Sequence, residues 1–344
     1  MDVLRPSILT IDGRQYRLNI GDVSSDLIES QNQQNLSPYI ENNDFEEDND
    51  DLDICMDGGQ FSLKLEVPDV FYGLIIGRNR ETLKSIEYQT RARVKIPGPK
   101  DNYLITIKGE QRSQVVAAKY KIESIIKRGR FKQSITHFIS LPMVNPTVVE
   151  NFLTFKEQVL ENCGESRGIS ELLFQDKLRL HLTITCFVLC IQSEIKRATN
   201  LMKECEETII KPMNLKSLDI YVRGLDYMND DPSEVNVLYA KVNNPELQFL
   251  VDKIQIFFQN CDLAKPPRSD HVKLHVTLMN TSYMENASNI NIHQNGRDTF
   301  DAKKIFELYN DFNFGTVHLT EIHLSQCYTT DSNGYYKFSY VATL

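Results

Sequence analysis

Two stretches of this chain, ninety-four residues apart, repeat one pattern. Arg179-Leu180-His181-Leu182-Thr183-Ile184 and Lys273-Leu274-His275-Val276-Thr277-Leu278 both read base, Leu, His, aliphatic, Thr, aliphatic. Apolar residues at every second position specify a strand, in which successive side chains point to opposite faces. His and Thr therefore share one face in each copy, and the aliphatics take the other. Each strand needs a core against its aliphatic face. If the two strands lie side by side, two imidazoles and two hydroxyls converge on one groove.

That set suits phosphodiester chemistry without a metal. One neutral histidine can take a proton from the attacking water or hydroxyl, and a second, protonated, can give one to the leaving oxygen. Thr183 and Thr277 can donate to non-bridging oxygens as charge builds. His181, Thr183, His275 and Thr277 are the candidate catalytic residues, with base and acid left unassigned between the histidines. Neither a metal nor a cofactor is expected: carboxylates with ligand spacing are lacking, and His271 with His275 suit a metal only on a helix, whereas these positions read as strand. A single His-x-Thr arises often by chance, and His318-Leu319-Thr320 and His323-Leu324-Ser325, lacking the base-Leu lead-in, are read as structural. His137, His271 and His293 receive no role.

Residues 57–132 form a different module. Phe61, Leu63, Leu65 and Val67 alternate as a half-buried strand; a turn at 69–75 and a helix at 79–89 follow. Strands around 94–96 and 103–108 and a helix over 111–128 complete the order β-α-α-β-β-α. Between the first two helices stands Gly73-Leu74-Ile75-Ile76-Gly77-Arg78-Asn79-Arg80-Glu81-Thr82-Leu83. This resembles the KH signature, in which a Gly-x-x-Gly loop clamps a short single strand. Glycine allows close approach to phosphates, and a helix start offers free N–H groups. Arg80 occupies the position of the second glycine. Gly77, Arg78, Asn79, Arg80 and Lys84 are the candidate nucleic-acid contacts. The alternative is a structural KH module with a solvated basic face.

Charge supports the module. Residues 78–132 hold 15 Lys or Arg against five Asp or Glu, leaving 23 basic and 42 acidic residues elsewhere in a chain of net charge −9. One strongly basic segment inside an acidic protein is the footprint expected for a nucleic-acid binder. Residues 1–56 open with a candidate hairpin on Asp12-Gly13 and pass into eight carboxylates between Glu41 and Asp53 without a base, a composition expected to be a disordered linker. Seven cysteines without a CxxC pair do not suggest a disulfide framework, and Cys186 and Cys190 are read as core. With no leader-like start and no long apolar run, a reducing compartment, cytosol or nucleus, is expected. Residues 133–344 read as a mixed α+β domain, with strands at 135–141, 179–187, 216–223, 235–242, 272–279, 315–325 and 335–341. Helices are expected at 145–162, 193–210, 245–260 and 301–310, and 281–299 as a mobile loop.

The duplicated His-x-Thr strands, with Thr136-His137-Phe138-Ile139-Ser140-Leu141-Pro142 as an entry strand, resemble the two-histidine (LigT-like) phosphoesterase superfamily. That resemblance implies a bilobed α+β fold acting on RNA-end phosphodiesters: 2′,3′-cyclic phosphates, 2′–5′ linkages or 3′ trimming. The joint arrangement, with Met1-Asp2-Val3-Leu4-Arg5-Pro6, Ile11-Asp12-Gly13-Arg14, Tyr227-Met228-Asn229-Asp230-Asp231-Pro232 and Val237–Val242, resembles a family of subunits of a transcription-cointegrator complex. It implies single-stranded RNA (DNA being open) as ligand, a helicase subunit and other complex subunits as partners, and no membrane. Nuclear placement and roles in transcription coactivation and the response to DNA alkylation are also implied. A catalytically silent RNA-binding adaptor, using the groove to hold a phosphate, is the alternative; a metal-dependent nuclease is a distant third.

Overall fold

A computed structural model of the protein describes residues 52–98, 104–215, 217–288 and 298–344, with backbone alone at 285–288 and in two N-terminal strands. Those strands, β1 (Ser7–Ile11) and β2 (Arg14–Leu18), pair antiparallel with Ile11 opposite Arg14, as the Asp-Gly spacing predicts. The Asp12-Gly13 turn, the acidic stretch up to Asp51, and His293 lie outside the described residues.

Asp53–Leu344 forms one compact unit. Its first sheet begins at β3 (Cys55–Asp57), inside the last residues of the expected linker, and turns through Gly58-Gly59 into β4 (Gln60–Glu66). Next come α1 (Tyr72–Ile76), α2 (Glu81–Thr90), β5 (Arg93–Lys95), β6 (Leu104–Gly109) and α3 (Arg112–Arg130). The sheet order is β3-β4-β6-β5, antiparallel throughout. Alternation puts Ile105 and Ile107 of β6 fully out of water, against Ile75 of α1, Leu83 and Ile86 of α2, and Val115, Ala118 and Ile122 of α3. This is the expected β-α-α-β-β-α module with one hairpin strand added.

From β7 (His137–Pro142) onward the chain runs α4 (Pro146–Cys163), β8 (His181–Phe187), α5 (Gln192–Cys205), β9 (Leu218–Tyr227), β10 (Val237–Val242), α6 (Pro245–Phe258), β11 (His275–Asn280) and α7 (Thr281–Ser288). It ends with α8 (Lys303–Tyr309), β12 (Asn313–Leu319), β13 (Glu321–Gln326) and β14 (Phe338–Thr343). Two antiparallel sheets result, β14-β13-β7-β8 and β11-β10-β9-β12. Each half contains a strand, a helix and a paired strand: β7-α4-β8 in one, β10-α6-β11 in the other. Both helices start alike. Asn145 and Asn244 cap them by accepting from Val148 N (2.8 Å) and Leu247 N (2.9 Å), and a proline follows at the first helical position. Each cap amide also donates to the β9–β12 pair, Asn145 to Thr316 O (2.7 Å) and Asn244 to Asp219 O (3.3 Å).

Three expectations change. The strand expected over 315–325 is two strands in different sheets, divided at Thr320, because continuous alternation cannot signal a switch of partner. The helix expected to 210 leaves α-geometry at Cys205 and closes with a π-turn over Glu206–Ile210, where the buried Glu206 carboxylate accepts from the Tyr340 hydroxyl. The polar stretch from 281 begins as α7 rather than as a loop.

The two modules join through one buried arginine. Arg130, ending α3, donates to Val188 O (2.5 Å) and to Glu194 Oε1 (2.6 Å), and lies over the Phe71 ring at 5.0 Å. Glu194 Oε2 accepts from Cys190 N at 2.7 Å, so both carboxylate oxygens are engaged. The connecting residues are held by Lys265 Nζ, which donates to Phe131 O and Gln133 O (3.3 and 2.7 Å).

Candidate active site and nucleic-acid interface

The two histidine strands are the inner edges of their sheets, and β8 lies against β11. The alternation holds: Leu180, Leu182 and Ile184, with Val276 and Leu278, are buried in one core, whereas His181, Thr183, His275 and Thr277 are each half-buried on the opposite face. The chain also bridges the halves beside them, since Gln175 N donates to Leu278 O at 2.8 Å. All four candidate catalytic residues thus lie on the faces of β8 and β11 turned away from that core.

The imidazoles are held in matching ways. His181 Nδ1 lies 2.7 Å from Arg179 O, and His275 Nδ1 lies 2.6 Å from Lys273 O. A carbonyl only accepts, so each Nδ1 carries the hydrogen and each Nε2 is left to exchange protons. A tyrosine edge braces each ring: Tyr336 at 5.3 Å from His181, Tyr239 at 5.3 Å from His275. The base of the repeated pattern caps that same tyrosine, Arg179 over Tyr336 at 5.2 Å and Lys273 over Tyr239 at 4.7 Å. The lead-in base therefore has a local structural use. Neither tyrosine stands in the repeat. Tyr239 is legible as the neighbour of Thr277 across β10–β11, and it donates to Asp226 Oδ2 at 2.6 Å; Tyr336 arrives from the β13–β14 connection, where spacing carries no signal.

Burial lowers both histidines. His181 is pushed down to about 4 by loss of hydration, aided by the charge of His275 and opposed by the Arg179 carbonyl. His275 moves down for the same reason, opposed by the Lys273 carbonyl, with Lys273 repelling its charge. His318 instead pairs with Asp219 at 2.8 Å on an exposed surface. His323 shares the sheet face of Thr183 but lies two strands away beneath Tyr335 and Phe338, its Nε2 at 3.0 Å from Glu321. His137 is buried on β7 and His271 pairs with Asp252 at 2.8 Å. Among the described residues, no three His, Cys, Asp or Glu side chains converge as metal ligands would.

In the first module, Gly77 (φ 69°) ends α1, and Asn79 (φ 51°) and Arg80 (φ 64°) complete the loop in left-handed conformations. Arg80 thus retains the backbone that a second glycine would adopt. A Cβ at Gly77 would stand 2.1 Å from Thr82 Oγ1. Gly77→Ala is accordingly expected to destabilise the module by about 1–2 kcal/mol or more, and Arg80→Gly to stabilise it by up to about 1 kcal/mol, by removing left-handed strain. Urea denaturation of the two variants checks the opposite signs; equal signs would refute this account of the loop.

Arg80, with Arg93, Lys95 and Lys108, lines a groove of about 920 Å³ whose apolar wall includes Ile76, Leu83 and Ile96. Arg78, Asn79 and Lys84 are exposed around the same helix start, outside the groove lining. Sequence reasoning missed Arg93 and Lys95. Their alternation about buried Val94 on β5 was the available signal.

Comparison with known proteins follows the same division. A family model described as AKAP7 2′5′ RNA ligase-like domain matches residues 135–344, and a KH domain model matches residues 62–124. Activating signal cointegrator 1 complex subunit 1 of Mus musculus is 34% identical over 359 aligned residues, which cover 98% of this chain and 98% of that protein. The first KH type I domain of human vigilin, a solution structure, is similar at 23% identity over 26% of this chain and 96% of its own, with a TM-score of 0.21.

Proposed function

Because the chain belongs to the family of activating signal cointegrator 1 complex subunit 1, with a KH domain and a 2′5′ RNA ligase-like domain of the two-histidine phosphoesterase type, we propose that it is an RNA-binding subunit of such a complex that also cleaves RNA-end phosphodiesters. In this reading residues 57–132 hold the single strand and residues 133–344 act on its end. Residues 1–56 form an N-terminal segment and linker. A helicase subunit as partner, nuclear placement and a part in alkylation repair belong to the same proposal.

One observation carries the chemistry: His181 and His275 stand on facing edge strands, each with Nδ1–H tied to a carbonyl, which leaves Nε2 to exchange protons. His181, the more strongly lowered, stays neutral to lower pH and serves as the base; His275, which keeps its proton to higher pH, is the donor. His181 Nε2 takes the proton of water attacking phosphorus, the P–O bond to the leaving ribose oxygen breaks, and His275 Nε2–H protonates that oxygen. Thr183 and Thr277 donate to the non-bridging oxygens. Turnover with EDTA present, on oligonucleotides bearing 2′,3′-cyclic phosphate ends, 2′–5′ linkages or plain 3′-hydroxyl ends, tests this and names the substrate. Binding without turnover on any of them would leave a phosphate-reading adaptor.

The lowered histidines set the pH response. Function needs one imidazole protonated and the other neutral, and above pH 6.5 both are neutral in the free protein. kcat/KM is therefore expected to peak below 6.5 and above the His181 value of about 4. It should fall roughly tenfold per pH unit on the alkaline side. A profile flat or rising from pH 6 to 9 would exclude the acid–base pair.

A further inference from the structure

The outer face of α2 carries the most solvent-exposed large hydrophobic side chain of the described residues, Tyr88, with 86% of its surface in water. Helical spacing puts Lys84 one turn before it and Arg91 one turn after, all on the side opposite buried Leu83, Ile86 and Thr90. From α3, Lys121 Nζ reaches Gln89 Oε1 (2.6 Å), setting a third cation beside this face. Glu81, two turns before Tyr88, is the acid on the same side. Nothing in the core uses the tyrosine.

The patch continues into the groove. Arg91 ends α2 in a left-handed conformation, and Arg93, two residues later, lines the groove with Lys95. Cations therefore run from the groove wall around the end of α2 to an exposed ring. An aromatic face flanked by phosphate-binding cations is what holds single-stranded nucleic acid without base selection: the ring stacks a base, and the cations track the backbone.

We propose that Tyr88, with Arg91 and Lys121, is a second nucleic-acid site that stacks one base of a single strand leaving the KH groove past Arg93. It rests on the reading of the KH domain as the strand-holding module. A KH clamp holds about four nucleotides, so a tetranucleotide fills the groove alone and a dodecanucleotide reaches the patch. The test is fluorescence anisotropy of the full chain with single-stranded RNA of both lengths. Tyr88→Ala is expected to weaken dodecanucleotide binding by roughly tenfold and leave the tetranucleotide unaffected, while Tyr88→Phe retains affinity. Lys121→Glu should weaken the longer strand alone, with a salt slope shallower by about one. Unchanged dodecanucleotide affinity in Tyr88→Ala, or equal loss on both lengths, overturns the site and leaves the KH reading standing. If the unaltered protein binds neither strand, both fall.

Discussion

Alanine at His181 or at His275 is expected to lower turnover of the susceptible RNA end by roughly 10²–10⁴-fold, with the fold and RNA affinity retained. Both side chains are half-buried, while the aliphatics that hold β8 and β11 in the core point the other way. Removing an imidazole therefore strips proton transfer without opening the core. Because the two histidines act in one step, the double variant should be scarcely slower than either single one. Multiplying losses would indicate independent roles. The ordering of the two lowered histidines adds a sharper test. In His275→Ala, lacking the donor, a substrate with a good leaving group should regain much of the rate. In His181→Ala, lacking the acceptor, it should not. Equal rescue would reverse or erase the proposed roles.

Arg130→Ala is expected to cost about 3–5 kcal/mol. The reason is the state of Glu194 after the change. Its carboxylate sits almost out of water and would keep only the Cys190 N–H as partner, while Val188 O would lose its donor and Phe71 its cation. An unpaired buried charge costs far more than the pair contributes, so Arg130→Met with Glu194→Leu should recover most of the loss. Chemical denaturation measures both, and a loss under about 1 kcal/mol in Arg130→Ala would show that the pair is not closed to water. A second readout separates stability from geometry. Since Arg130 ties α3 to the loop before α5, its loss should loosen amide protection over Phe131–Gln133 and leave the centre of β6 protected.

Much of the fold could be read because its signals are local. The period of two in Arg179–Ile184 and Lys273–Leu278 assigned strands and faces, and the Gly77–Arg80 loop between two helical stretches identified the KH module. The paired Asn145-Pro146 and Asn244-Pro245 starts were equally visible and would have extended the internal repeat to a whole strand-helix-strand unit. Other features had no local signal. Thr320 is an ordinary residue in a continuous alternating run, yet there the chain leaves one sheet for the other. Arg130 looked like one more cation of a basic segment. Its burial beside Glu194, sixty-four positions away, is a property of packing alone.

Local sequence was enough to show which residues could do chemistry and which way they face, because side-chain direction follows from backbone period within a few residues. It also located the basic module, because charge is additive along the chain. Long-range packing alone made β8 and β11 facing edges, set Tyr336 and Tyr239 against the two imidazoles, and lowered both histidines by burial. Those outcomes depend on which distant surfaces exclude water together. Strand order and desolvation are collective results of packing, and no window of neighbouring residues contains them.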